Sequence, residues 1–250
     1  KSFYYPSLHY RDILFINKRY KWEIYKMINN LTLLIPAKFE SESLPIFLEE
    51  LKDYDYNKLV VLDESDLKTI ESIKNFKNIE ILHQKKTGYG NALIEGINYI
   101  KTDLFCIINA DGSMNPNELS GMLSEIKNNN QDIVFGSRYM KNAGSDDDDL
   151  ITLIGNFIFT FVGKVFFRLK ISDILYTYLI GKTNLVRDLD LKSGDFRFCI
   201  ELPIKAKRKK LKCISYPCYE RSRIGGKKKV NPFVDGLKIL IGMLFLFFKR

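Results

Sequence analysis

Residues 108–116, INADGSMNP, place an amide and an acid, Asn109 and Asp111, directly after the apolar run 104–108. A buried strand that delivers an acidic side chain to its carboxyl end is a common way to build an active site, because open parallel sheets bind ligands outside those ends. Two acids spaced Asp-x-Asp would grip a divalent metal. Here Asn109 takes the first place and offers an oxygen without a charge. Three other segments carry chemistry at equivalent places. Pro36-Ala37 leads to Glu40, Asp63-Glu64-Ser65-Asp66 closes a second apolar run, and residues 86–91 (KTGYGN) form a glycine-bearing helix entry whose amides could face a phosphate. A basic loop, 221–229 (RSRIGGKKK), adds cations suited to an anionic ligand. Taken singly, each has a plain structural reading: Asp63 and Ser65 as helix caps, Gly88 and Gly90 as turn glycines, Asp111-Gly112 as a turn. The run 205–212 (KAKRKKLK) reads as a solvated helix face.

Hydrophobic periodicity supplies the elements that would hold these residues. Residues 31–35 (closed by Pro36), 59–62, 79–82, 104–108 and 133–135 are short apolar runs that read as buried strands. Between them, 43–52 puts Leu44, Phe47, Leu48 and Leu51 on one helical face. Residues 88–100 do the same with Ala92, Leu93, Gly96, Ile97 and Ile100, and 117–126 reads as a third helix. Strands alternating with helices at this interval predict an α/β chain: a doubly wound, mainly parallel sheet with helices on both faces. After Arg138 the rhythm changes. Four acids, 146–149, precede a long apolar stretch, 150–169, which Asn156, Lys164 and Arg168 interrupt. It predicts a helix buried against the sheet or lying on a membrane rather than crossing one. Residues 198–210 read as a helix and 211–216 as a strand. Residues 233–248 are strongly apolar, with Asp235 and Lys238 in the first turns, as in a membrane-contacting amphipathic helix. The expected organisation is an N-terminal extension over 1–30 with no assigned role, an α/β domain over 31–231 and an apolar helix over 232–250.

Composition sets the bounds. A chain of 250 residues, 46% hydrophobic, can bury a sizeable core, and its net charge of +9 favours phosphates, nucleotides or an acidic membrane surface. Four cysteines without a CxxC pair, and two histidines, argue against structural zinc and for a reduced, cytoplasmic setting. Residues 1–30 lack the uninterrupted apolar core of a signal peptide, and the chain begins without Met, as a trimmed start would. Neither a Walker lysine motif nor GxGxxG occurs, so a P-loop ATPase or an NAD enzyme is not indicated. Nucleic acid is not an expected partner, because no recognition motif with interleaved aromatics is present.

In their order along the chain these segments resemble glycosyltransferase family 2, whose members have the GT-A fold, and most closely its dolichyl- or polyprenyl-phosphate hexose synthases. LTLLIPAKFESESLPIFLEEL is similar to that family's opening strand, IPAYNE segment and following helix. VVLDESD resembles VVDDGSxD. KKTGYGNALIEGINYIKTDLFCIINADGSMNPNEL resembles NxGkGaAlrxG followed by the Asp-x-Asp strand end. DIVFGSRY matches the next strand and its GSR turn, and ISDILYTYLIGK resembles the D-x-x-SG-F element, around Asp173. RSRIGGKKKVNPFVDGLKIL is similar to RxxGxSKxNxxxDGLxxL of the lipid-phosphate branch.

The resemblance implies a role for each matching residue. The main chain at Pro36 and Ala37, with Glu40 and Asp63, would hold the donor nucleoside. Gly88 and Gly90 would pack close to it, and Asn109 and Ala110 would lie on the donor's path. Asp111 would bind Mg2+ or Mn2+ on the donor diphosphate, with Asn109 and Ser113 as further oxygen ligands. Arg138 would lie near acceptor or diphosphate, and Arg223 and Lys229 would meet the phosphate of acceptor or donor. Asp111, Arg223 and Arg138 form the implied catalytic set. The implied reaction is inverting transfer of a hexose from a GDP- or UDP-sugar to a polyprenyl phosphate at the cytosolic face of a membrane. The sequence carries no signal for oligomeric state.

Four departures bear on donor choice, acceptor choice or activity itself. Asn109 replaces the first acid of Asp-x-Asp, and Leu62 and Glu64 alter the DDGS element. Arg197 stands within the FEF-like element, and Tyr176-Thr177 stand for SG. Two other readings remain at this point. One is a family 2 enzyme acting on a saccharide or other hydroxyl, which needs a carboxylate base such as Glu201. The other is a non-catalytic GT-A-like binding module.

Overall fold

The computed structural model describes residues 30–226 and 229–249; the extension expected over 1–30, apart from Asn30, lies outside the described residues. Strands β1 (Leu31–Pro36), β2 (Asn57–Leu62), β3 (Glu80–His83), β4 (Leu104–Ile107) and β5 (Ile133–Ser137) fall where the apolar runs place them. Helices α1 (Leu44–Glu50), α2 (Leu67–Ile73), α3 (Tyr89–Tyr99) and α4 (Leu119–Asn128) alternate with them. The ribbon strand β6 (Gly144–Ser145) and helix α5 (Leu150–Phe167) follow, then β7 (Leu179–Lys182), α6 (Thr183–Arg187) and α7 (Phe198–Arg208). Strands β8 (Cys213–Pro217) and β9 (Tyr219–Glu220) and helix α8 (Pro232–Phe248) complete the described chain.

Seven strands form one sheet in the order β3-β2-β1-β4-β7-β5-β8. All its pairings are parallel except those of β7, which runs antiparallel to both β4 and β5. The strands are apolar without alternation because both faces are covered. Leu34, Leu59, Val61, Phe105 and Ile107 join the α3 and α7 side. Leu33, Ile35, Val60, Leu62 and Cys106 join the α1 and α4 side. Strand β7 was not visible in the apolar pattern, since Gly181 interrupts it. A Cβ there would meet the Phe105 ring at 3.0 Å, so the interruption is what lets β7 lie beside β4.

Helix α5 is only partly buried against the sheet. It packs on the core through the half-buried Phe159, Val162 and Phe167, but most of its apolar residues face outward. Leu150, Ile154, Phe157, Ile158, Phe161 and Phe166 are exposed, whereas Asn156, Thr160 and Gly163 face inward. Its two buried polar residues meet polar groups: the Asn156 amide donates to the Tyr139 hydroxyl (2.7 Å), and Ile174 N–H donates to Thr160 Oγ1 (3.2 Å). Among the described residues α5 is the one helix long and apolar enough to cross a membrane. Helix α8 packs beside it, with the Phe247 ring edge-on to Phe166 and Phe167 at 5.8 and 6.1 Å. It too exposes apolar residues, among them Phe233, Leu237, Ile241, Leu244, Phe245 and Phe248. Its end is tied to α7 by Arg208, which donates to the carbonyls of Leu246 and Lys249.

The seating of α3 on the sheet depends on Gly96, where a Cβ would lie 2.3 Å from Leu34 Cδ1 and 3.1 Å from Val61 Cγ2. Gly96→Ala is expected to cost about 1–3 kcal/mol through overpacking, despite its better helix propensity. Urea denaturation monitored by circular dichroism measures this, and an unchanged midpoint would contradict the packing described.

Candidate active site

Strand order reverses at β1: β2 and β3 lie to one side of it, β4 to the other. The crevice outside the carboxyl ends of β1 and β4 is therefore the place where such a sheet binds ligands. Pro36, Ala37 and Glu40 stand on its β1 side, with Asn109, Ala110, Asp111 and Ser113 on its β4 side.

Asp111 sits in a tight turn. Its Oδ1 accepts from the backbone N–H (3.1 Å) and hydroxyl (2.9 Å) of Ser113. Gly112 holds φ +73°, a conformation that costs glycine nothing. The start of the basic loop, residues 221–224, is laid directly over this turn, and Lys227 and Lys228 lie outside the described residues. Met114 bridges to Glu220, Arg221 N–H donates to Ser113 O (2.8 Å), and Ile224 N–H donates to Asp111 O (2.9 Å). Arg221 also donates twice to Gly112 O and pairs with Glu50 at 2.8 Å. The Ile224 side chain fills the space above Gly112, where a Cβ would lie 2.4 Å from Ile224 Cδ1. This stitching carries Arg223 to the site, with Nη1 3.7 Å from Asp111 Oδ2.

Lys229 closes the other side of the crevice, 3.2 Å from Glu40 Oε1. Glu40 is buried, accepts from the Ser43 hydroxyl (2.5 Å) and has its main chain anchored to Thr69. Burial pushes its carboxyl above the ordinary value of 4.5, against the lowering pull of Ser43 and Lys229, and the Asp111 charge adds to the rise. Asp63 faces Ser65 and Thr87, and the Ser65 hydroxyl and amide hold its carboxyl low. The cap of α2 is Asp66, which also accepts from Phe39 N–H (2.6 Å).

Asn109 does not stand open. Its carbonyl oxygen accepts from the Tyr89 hydroxyl (3.1 Å), which is also bonded to Thr177 Oγ1 (2.6 Å), and the Tyr89 ring stacks on Phe196. Gly88 and Gly90 are required by a neighbouring backbone. Cβ atoms there would lie 2.3 Å from Gly194 O and 2.1 Å from Ser193 O, and Asn91 N–H donates to Gly194 O.

Arg138 is buried among carboxylates. It forks onto Asp173 through Nε (2.7 Å) and Nη2 (3.1 Å), and its Nη1 reaches Asp148 and Glu220 at 3.1 Å each. Glu201 is buried as well, accepting from the N–H groups of Lys192 and Ser193 and pairing with Lys205. Against the burial that would raise it, these bonds hold its carboxyl below the usual range.

The structure thus brings Asp111, Ser113, Glu40, Arg223 and Lys229 together, with Asp63, Gly88 and Gly90 along the flank and Arg138 beneath. Sequence reasoning gave no individual role to Tyr89 or Arg221, which lie in segments it singled out, and it did not place Asp147, Asp148 or Glu220 in this neighbourhood. The run of four acids in a chain of net charge +9 was the available signal for two of them. Among the described residues no cluster of three or more His, Cys, Asp or Glu could hold a metal on its own. Asp111 still fits the weaker demand of Mg2+ or Mn2+, which can rest on a single carboxylate when substrate phosphates and water supply the rest.

A family model, Glycosyl transferase family 2, matches residues 32–190. An uncharacterized glycosyltransferase of Mycobacterium tuberculosis is 24% identical over 210 residues, 84% of this chain and 94% of that protein. An uncharacterized protein of Methanocaldococcus jannaschii is 26% identical over 220 residues, 84% of this chain and 89% of its own. Glucosyl-3-phosphoglycerate synthase from Mycobacterium tuberculosis, in complex with Mn2+, UDP and phosphoglyceric acid, superposes with a TM-score of 0.62 at 12% identity, covering 98% of this chain and 85% of that one. TarS of S. aureus in complex with UDP-GlcNAc gives 0.55 at 14% identity, covering 86% and 66%. At these identities the two structures are similar in fold.

The Glu40 carboxyl generates a pH prediction. Its folded pKa is raised, so its contribution to stability is fully present below the ordinary value of 4.5 and is lost as pH rises through the folded value. Glu40→Gln has no such loss. Denaturation of both proteins at about pH 4 and about pH 7.5 should show the variant gaining on the wild type as pH rises. A gap that does not change with pH would contradict the assigned burial.

Proposed function

The chain belongs to glycosyl transferase family 2, and from that premise we propose that it is an inverting hexosyltransferase that moves a sugar from a nucleotide-sugar to a polyprenyl phosphate. The observation that carries the reading is the basic loop laid over the Asp111 turn, with Arg223 and Lys229 on either side of the crevice in a GT-A fold.

In this reading the donor nucleoside lies along Pro36, Ala37 and Asp63, and the diphosphate reaches Asp111. Asp111 would hold Mg2+ or Mn2+, with Ser113 orienting its carboxylate, while the Asn109 oxygen is already engaged by Tyr89. The cation would neutralise the leaving diphosphate. Arg223 offers its guanidinium to the phosphate oxygens on the same side, and Lys229 offsets the negative charge that Glu40 would otherwise present to them. The acceptor phosphate has a second pKa of about 6 and arrives largely ionised. One of its oxygens forms the new bond to the anomeric carbon as the bond to the nucleoside diphosphate breaks, and that electron pair leaves with the diphosphate. No proton has to be removed.

One feature supports a phosphate acceptor over a hydroxyl. Glu201, the candidate base, is fixed by two backbone N–H groups and Lys205 and is not poised to take a proton. Arg138, engaged by three carboxylates, acts as a positioning residue that fixes the acidic loop 145–149. Gly88 and Gly90 serve by letting residues 193–195 close against the entry of α3.

The lipid half of the acceptor would come from a membrane. Exposed apolar faces of α5 and α8 lie side by side, and such paired faces on a soluble surface mark an interaction site. They support peripheral attachment at a cytosolic membrane face.

Two experiments test these proposals. Incubation with Mg2+ or Mn2+, a panel of UDP- and GDP-sugars and a polyprenyl phosphate should yield a lipid-linked sugar, and Asp111→Ala should abolish it. Absence of both lipid-linked sugar and nucleotide release with every donor would overturn the assignment. In sedimentation with anionic phospholipid vesicles the wild type should pellet. The pair Phe157→Glu and Phe245→Glu, at side chains 71% and 60% exposed, should release it without lowering the melting temperature. Equal pelleting of both proteins would remove the membrane from the proposal.

A further inference from the structure

The four consecutive acids 146–149 each have a separate partner. Asp146 accepts from the Tyr219 hydroxyl (2.6 Å), Asp148 from Arg138 and the Tyr139 hydroxyl, and Asp149 caps α5 through Thr152 N–H (2.7 Å). Asp147 grips Arg223, taking its Nε at 3.1 Å and its Nη2 at 2.6 Å. The loop is held in place by its own hydrogen bonds. Ser145 Oγ receives the N–H groups of Asp147 and Asp148 and donates to Glu220 (2.6 Å), which in turn shares Arg138 with Asp148. Arg138 itself is forked onto Asp173.

Arg223 therefore stands between two acids, bound to one and short of the other. A guanidinium has two edges that can grip an anion. Asp147 occupies the Nε/Nη2 edge, which leaves the Nη1/Nη2 edge turned toward Asp111. The Nη1 to Asp111 Oδ2 separation, 3.7 Å, is too long for a hydrogen bond. A movement of about 1 Å would close it to the 2.7–2.9 Å typical of charge-assisted pairs. Glu40 adds its charge to the same neighbourhood but is occupied by Lys229.

We propose that Asp147 is a positioning residue that holds Arg223 off Asp111, leaving the Asp111 carboxylate to a divalent cation and the outer guanidinium edge to phosphate oxygens. This rests on the reading of Asp111 as the cation-binding residue of the donor site. Without Asp147 the nearest anion to Arg223 is Asp111, and their pairing competes with the cation for the one carboxylate available. With it, the arginine is ordered before any substrate arrives, so less side-chain freedom is lost on binding.

The test is a double-mutant cycle on Mn2+ binding. Free Mn2+ is read by electron paramagnetic resonance in the presence of UDP or GDP, for wild type, Asp147→Asn, Arg223→Ala and the double variant. Asp147→Asn should weaken Mn2+ binding roughly three- to tenfold, a coupling usual for contacting charged residues. The same change should have little effect in the Arg223→Ala background, because Asp147 acts through Arg223. Melting temperatures identify any general loss of folding, and Asp147→Glu, which keeps the charge, should recover part of the affinity. An unchanged Mn2+ affinity in Asp147→Asn, or a loss that persists without Arg223, overturns the proposal. If the wild type itself binds no Mn2+ with either nucleotide, the metal assignment fails instead. The clamp is then decided by a crystal structure of Asp147→Asn: Arg223 closed onto Asp111 supports it, and Arg223 unmoved overturns it.

Discussion

The candidate site depends on one backbone contact: the pairing of the turn at 111–114 with the strand-like segment 220–224. Neither partner is a regular element. The turn is held by Gly112 at positive φ and by Ser113 closing onto Asp111, and the segment continues from β9. Their hydrogen bonds bring residues about a hundred positions apart into register, which fixes where Arg223 falls relative to Asp111. Arg221 reinforces the register by binding Gly112 O and Glu50 at once. A cation brought by a loose loop would have to be ordered at each binding event; here the ordering is done by the fold.

The charges around this contact are arranged by hierarchy. Arg138 lies deepest and is saturated, with Asp173, Asp148 and Glu220 around it. Buried ions of this kind are costly to isolate, so removing any one leaves an uncompensated charge and loosens the rest. Above it the acidic loop presents Asp147, and above that Arg223 and Lys229 face the crevice with only part of their hydrogen-bonding capacity used. A net charge of +9 thus says little about the site. What counts is that cations near the crevice are held by acids from different parts of the chain.

Most of the sheet was legible in the sequence because buried parallel strands write themselves as apolar runs. Strand β7 was not, because Gly181 breaks the run and its antiparallel direction depends on two neighbours distant in sequence. The site was half legible. Asp111, Glu40 and Asp63 announce themselves by following strands, whereas Asp147 lies in a loop and Glu220 in the two-residue strand β9, and only the fold reveals their partners. The sequence marks Asn109 as a further oxygen ligand, and its oxygen already receives the Tyr89 hydroxyl, a contact between residues twenty positions apart that no local pattern encodes. Helix α5 shows the limit of hydropathy. Its apolar count is evident, but its most buried residues are Asn156, Thr160 and Gly163, and only the positions of Tyr139 and Ile174 account for the first two.

The antiparallel strand β7 has a consequence for how the molecule is made. Strands β3, β2, β1 and β4 can pair as soon as residue 107 has been synthesised, but β5 has only β7 and β8 as sheet neighbours. It must wait for residues 179–182, and an emerging chain would carry an unpaired β4 edge until then. Residues 220–224 come later still. A ribosome-bound chain would therefore complete the strand ends of β1 and β4 well before its arginine loop, and the two halves of the crevice meet only when nearly the whole domain has emerged.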